Sequence, residues 1–243
     1  MPRDRVEEAT ARMLELFPEG FAEQPVGEAV ELVAFTDEAG AVRMGESFGT
    51  VASSPVASGW EDEWKRFHVP AIVGSLWIGP PWEQPRAELT AVVIDPGQAF
   101  GTGAHPTTRL CLELLMGLER GSVLDVGCGS GVLAIAAAKL GFDPVFAVDT
   151  DSAAIEATER NAAANGVELE VRLADARSDR LRAVDIVLAN LDLPTLGSLT
   201  RELDCRVAVT SGYDETHRPA LPGFRPIARR TRENWAADLH ARQ

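Results

Sequence analysis

Val123-Leu124-Asp125-Val126-Gly127-Cys128-Gly129-Ser130-Gly131 decides the fold. Apolar residues of strand character run into an acid, then into three glycines at alternate positions. The Ala/Leu/Ile segment from Val132 to Leu140 follows with the composition of a helix. A strand, a glycine turn and a helix form a backbone that admits a ligand closely. Glycine has no Cβ to obstruct it, and the helix N-terminus presents free N–H groups to an anion.

The spacing separates two ligand classes. A dinucleotide site needs G-x-G-x-x-G, and here Val132 stands where its third glycine belongs. An acid two residues before the first glycine resembles instead the S-adenosylmethionine enzymes of the Rossmann-like class. Further on, Pro144-Val145-Phe146-Ala147-Val148-Asp149 reads as a second strand ending in an acid, just over twenty residues past Gly127. An acid so placed suits two hydrogen bonds to ribose hydroxyls. Any one of these features alone also fits a plain βαβ turn without a ligand.

Working outward, the C-terminal part alternates strand and helix signals, as a parallel sheet flanked by helices requires. Strands are expected at 123–126, 145–149, 168–173, 184–189, 206–211, 224–230 and 235–240. Only Arg230 to Asn234 separate the last two, too little for a crossover, so they must form an antiparallel hairpin. The front section reads as a small α+β unit. It has a helix over 5–17, a strand over 31–35, a turn at Thr36–Gly40 and a short strand at 50–52. Four of five tryptophans (Trp60, Trp64, Trp77, Trp82) then mark a connector, expected as an inter-domain packing surface or, less simply, a cleft. The expected division is 1–59 α+β, 60–90 connector and 91–243 cofactor-binding domain.

Composition narrows the function. With 243 residues the chain has room for one large α/β domain and an appendage. Three cysteines far apart and four histidines without ligand spacing predict neither a disulfide framework nor a metal site. No apolar run approaches a membrane span and no signal-peptide core leads the chain, so a cytoplasmic protein without a membrane partner is expected. A formal net charge of −14 argues against direct nucleic-acid binding. It suits a basic protein partner, or simple solubility.

The segment Asp95-Pro96-Gly97-Gln98-Ala99-Phe100-Gly101-Thr102-Gly103-Ala104-His105-Pro106-Thr107-Thr108 cannot be a regular element. It reads as a shaped loop feeding a helix that starts near Thr107, whose hydroxyl, with that of Thr108, sits where it can cap that helix. This loop, the following Thr108-Arg109-Leu110-Cys111-Leu112-Glu113-Leu114-Leu115 and the glycine turn together resemble the PrmA family, enzymes that methylate large-subunit ribosomal protein L-eleven (L11). The connector around Trp64-Lys65-Arg66-Phe67-His68 resembles it too. The resemblance is good over roughly 60–192 and loose over the hairpin. It implies a Rossmann-like methyltransferase: an α/β fold with a mostly parallel seven-stranded sheet ending in an antiparallel hairpin, and a small N-terminal α+β domain.

It also implies S-adenosyl-L-methionine as cofactor, contacted by Thr108, Gly127, Gly129, Asp149, Asp175 and Asn190, with Asn190 as the catalytic residue. The local reading supports Gly127 and Asp149 independently. It also places Asn190 at the C-terminal end of a strand, the edge where open α/β sheets bind ligands. A helix cap remains the alternative for Asn190, and a solvated turn for Asp175. Acceptors in the family are lysine side chains and an N-terminal amine, so L11 is the implied partner. A small-molecule N- or O-methyltransferase on the same core, and a cofactor-binding module without turnover, are the alternatives. The chain departs from the family where its front section opens with a helix. It departs again after Asn190, where Leu191-Asp192-Leu193-Pro194 is followed by a short stretch lacking a Pro-Gly-Gly turn.

Overall fold

The computed structural model describes residues 69–95, 103–199 and 203–243. In the front section it describes 22–26, 29–34, 36–49, 51–53 and positions 9, 12, 13, 16 and 17. The expectations for Trp60, Trp64 and His68, and for loop residues 96–102, lie outside the described residues. The chain divides into two compact units, Met1–Trp60 and Glu61–Gln243.

In the first unit Ala9, Met13 and Phe17, four residues apart, are buried on one helical face. Strands β1 (Ala22–Val26) and β2 (Ala29–Val33) pair antiparallel, Val26 opposite Ala29. Thr36–Gly40, predicted as a turn, instead opens helix α1 (Glu38–Phe48). Asp37 is its N-cap, with Oδ1 accepting the Gly40 N–H at 2.8 Å, and Glu38 adds a favourable charge in the first turn. Val51 and Ala52, predicted as part of a strand, lie in irregular chain.

In the second unit, β3 (Ala71–Val73), β4 (Leu76–Gly79) and β5 (Thr90–Val93) form a small sheet. Val73, Leu76, Ile78 and Val92 project from it into the main core, and Trp77, between Leu76 and Ile78 in β4, is buried outside that cluster. Helix α2 (Pro106–Met116) leads to strand β6 (Val123–Val126), helix α3 (Val132–Lys139), strand β7 (Val145–Asp149) and helix α4 (Ser152–Asn165). Then come β8 (Glu170–Leu173), β9 (Ile186–Asn190), the short helix α5 (Leu193–Gly197), β10 (Val207–Asp214), β11 (Phe224–Arg232) and β12 (Trp235–Arg242).

The large sheet has the order β11-β12-β10-β9-β6-β7-β8. Its first five strands in chain order run parallel, and β12 pairs antiparallel with both β10 and β11. All seven expected strands are present, with boundaries shifted by a few residues. The hairpin turn is tighter than expected: Glu233 and Asn234 alone make it, at φ of 50° and 65°.

Period-two alternation sends Ile186 and Leu188 to one face, and Val187 and Ala189 to the other. On the first face lie α2, α3 and the small sheet; on the second, α5 and the chain around Leu199, Leu203 and Cys205. Strands buried on both faces explain the continuous apolar runs in the sequence. Strand order reverses between β6 and β9, with one half of the sheet built outward on each side. That reversal opens a crevice at the strands' C-terminal ends.

Candidate active site

The crevice at the β6/β9 reversal is a cleft of about 610 Å³. Thr108, Gly127, Gly129, Asp149, Asp175 and Asn190, brought together from distant parts of the sequence, all line it.

Its floor is the glycine turn. Gly127, Gly129 and Gly131 have φ of 73°, 55° and 82°, values that side chains disfavour. A Cβ on Gly127 would also run into the Leu191 side chain. The Gly127 and Cys128 N–H groups donate to the Val148 carbonyl at 2.9 and 3.1 Å, tying the turn to β7. From α4, Thr158 Oγ1 donates to the Gly129 carbonyl at 3.0 Å, and Asn161 Nδ2 to the Ser130 carbonyl at 2.9 Å. The same Asn161 accepts the Asp95 N–H at 3.0 Å, while Asn165 brackets Val93 through both its N–H and its carbonyl. These buried amides dock β5 and the start of the long loop against the glycine turn.

Two carboxylates face the cleft differently. Asp149 is held from behind: Oδ2 accepts the Gly129 N–H and Oδ1 the Asp151 N–H, both at 3.0 Å. Asp125 is 1% exposed. Its Oδ2 accepts the Ala134 N–H at 3.1 Å, and its buried Oδ1 has no hydrogen-bond partner among the described residues. Burial pushes its carboxyl up to about 7, because that single N–H offsets only part of the anion's lost hydration. A buried carboxylate oxygen without a donor fits a cationic group of a ligand.

The far wall joins α2 to β9. Asn190 Nδ2 donates to Thr108 Oγ1 at 3.4 Å. Neither side chain is a helix cap. Asp192 caps α5, its Oδ1 accepting the Thr195 N–H at 2.7 Å. His105 caps α2, its Nδ1 accepting the Thr107 N–H at 3.3 Å, so capping by Thr107 and Thr108 does not occur. Both threonines sit inside the helix and are almost fully buried. Asp175 is engaged by Arg177, at 2.8 Å from Nη2 to Oδ2, and these hydrogen bonds hold its carboxyl below the usual range.

Gly212, His105 and Trp235 also line the cleft, and sequence reading did not single them out. Gly212 sits at a bulge of β10, with Leu191 against it, and His105 and Trp235 close the end beside the hairpin. A His inside a long Gly/Pro loop was the one available signal. Among the described residues no cluster of His, Cys, Asp or Glu could hold a metal ion, and no helix is long and apolar enough to cross a membrane.

This strand order, closed by an antiparallel hairpin and carrying a glycine turn and an acid on successive strands, defines a Rossmann-like methyltransferase fold. Residues 16–213 match the family described as Ribosomal protein L11 methyltransferase (PrmA), and the chain belongs to that family. It is 41% identical over 165 residues to the ribosomal protein L11 methyltransferase of Caldicellulosiruptor bescii, covering 64% of this chain and 54% of that protein. It is 43% identical over 173 residues to that of Shewanella piezotolerans, covering 69% and 56%. The chain thus spans about half the length of the curated relatives it matches. The crystal structure of the ribosomal protein L11 methylase from Lactobacillus delbrueckii subsp. bulgaricus superposes with a TM-score of 0.63 at 31% identity, over 72% of this chain and 99% of that one. Family and fold together imply use of S-adenosylmethionine.

Proposed function

We propose that this chain is an S-adenosylmethionine-dependent protein methyltransferase that modifies lysine and N-terminal amines of ribosomal protein L11. The observation that carries the reading is the convergence of Thr108, the glycine turn, Asp149 and Asn190 on one cleft at the sheet's reversal point. The names of its relatives supply the substrate.

In this reading Asp149 holds the ribose hydroxyls and Gly127 and Gly129 let the cofactor's main body lie against backbone. Asp125 Oδ1 receives its cationic amine, and Asp175 faces the adenine end once Arg177 yields. The bound cofactor supplies an activated methyl group on a sulfonium. The protein's task is to hold a neutral amine in line with it. A lysine, which ordinarily titrates near about 10.4, needs about 4–5 kcal/mol to lose its proton at pH 7. Burial beneath α2 and β9 offsets part of that by destabilising the charged form. Asn190 and Thr108 then orient the amine through hydrogen bonds as its proton passes to water.

Residues 1–59 are assigned to substrate recognition, 60–90 to the connector and 91–243 to cofactor binding. The net charge of −14 favours encounter with a basic protein in the cytoplasm and disfavours direct nucleic-acid contact. The test is incubation of purified protein with methyl-labelled cofactor and free L11. Label on L11 lysines is the expected result. Label on small molecules of an extract with none on L11 would replace the protein substrate by a small one.

A further inference from the structure

The hairpin end of the cleft carries features that cofactor binding leaves unused. Trp235 opens β12 and lines the cleft together with His105, the cap of α2. Their rings meet edge to face, centroids 4.9 Å apart and planes at 69°. His105 Nδ1 accepts from Thr107, and burial lowers its pKa against the opposing pull of Glu233, which favours the uncharged ring. The hairpin is pinned to the same helix by Arg232 Nη2, 2.6 Å from Glu113 Oε1.

The turn between β11 and β12 holds Glu233 and Asn234, both left-handed. Such two-residue turns favour Asn-Gly, because both positions need positive φ. Glu233 occupies the first with an exposed carboxylate, two residues before the cleft-lining Trp235. A side chain that opposes its own backbone geometry, beside a cleft, points to a role for its charge.

We propose that Glu233, Trp235 and His105 form the receiving wall for a cationic acceptor, drawing an ammonium-bearing side chain to the cleft over neutral acceptors. The carboxylate raises the local concentration of cations at the mouth, and the aromatic pair holds the ammonium by cation–π attraction. The inference rests on the methyl-transfer reading and names the chemistry of its acceptor.

The experiment titrates n-butylammonium chloride into the protein with S-adenosylhomocysteine present and follows the Trp235 indole N–H resonance. A saturable shift is expected, its apparent Kd raised about 3- to 10-fold by Glu233→Gln and likewise by about 0.5 M salt. Glu233→Gly is the decisive variant. It relaxes the turn and raises Tm, yet it must weaken the amine as Glu233→Gln does. Wild-type amine affinity in Glu233→Gly, or a response to butylammonium no larger than to neutral pentanol, overturns the inference even if the protein methylates L11. Conversely, no transfer to L11 by a protein whose Trp235 still reports the amine sinks the substrate reading alone.

Discussion

Asn190 and Thr108, 82 residues apart in sequence, meet through a hydrogen bond of 3.4 Å between β9 and α2. That length lies beyond the usual N–H···O range, so the contact is weak and readily exchanged for a better partner. A polar pair left half-satisfied in a cleft is suited to receive an amine. Asn190→Ala should lower kcat/KM on L11 by about 10- to 100-fold, the scale of a lost hydrogen bond to a group that gains charge, here the amine nitrogen as it takes the methyl. Affinity for S-adenosylhomocysteine should fall much less. Thr108→Val should act on the same step, and the double variant should lose less than the product of the two, because the pair acts as a unit. Steady-state kinetics on the four proteins decide; full additivity would separate the residues.

Asp149 depends on its support as much as on its charge. Its oxygens accept the Gly129 and Asp151 N–H groups, which leaves the remaining lone pairs for a ligand in the cleft. Asp149→Ala should weaken S-adenosylhomocysteine by about 1–3 kcal/mol, about 5- to 150-fold. Asp149→Asn keeps one acceptor oxygen and should lose less. Calorimetric titration measures both; an unaltered affinity in Asp149→Ala would remove the ribose assignment.

Asp125 predicts a pH dependence of unusual sign. Its carboxyl titrates near 7 in the folded chain and near 3.8 when exposed. Between those values the folded state holds a proton that the unfolded state has released, so raising pH favours unfolding. The group's contribution is fully present below about pH 4, declines as pH rises through 7, and is constant above. Asp125→Asn, neutral throughout, should flatten this part of the curve. Urea melts of both proteins at pH 5.5 and pH 8 would show it: the wild type should lose stability relative to the variant at the higher pH. Parallel curves would mean that the buried carboxyl is ionised throughout.

What the sequence disclosed follows the range of each signal. The strands at Val123–Val126 and Val145–Asp149 were legible because burial on both faces writes itself as a local apolar run. Gly127 and Asp149 were legible because a turn and a strand end fix their own neighbours. Helix α1 was misread because Thr36-Asp37-Glu38-Ala39-Gly40 has the composition of a turn, and only the Asp37 side chain capping Gly40 distinguishes a helix start. Capping of α2 was assigned to threonines, since His105 is an uncommon cap and nothing local marks its ring as an acceptor. Asn161 and Asn165 carry no local mark of their docking role. Their partners Asp95 and Val93 lie 66 and 72 residues away, beyond the reach of any periodicity.

Gly212 belongs to that second group and offers the sharpest test of how the sheet builds the cleft. The register of β10 against β12 slips between Ser211 and Tyr213, and Gly212 fills the slip at φ 102°. A Cβ there would collide with the Leu191 backbone, which cannot swing aside as a side chain can. Leu191 follows Asn190 directly, and its N–H donates to the Ser211 carbonyl at 3.0 Å. Gly212→Ala must therefore either flatten the bulge or push the 190–192 segment into the cleft. The strained backbone alone costs about 1–2 kcal/mol, and the clash adds to it. The expected outcome is a lower Tm together with a loss of methyl transfer larger than the loss of stability explains at temperatures where the variant is fully folded. Leu191→Ala, which shortens the side chain but leaves the backbone in place, should not rescue it. Rescue by that second change would place the conflict in the side chain and leave Asn190 undisturbed.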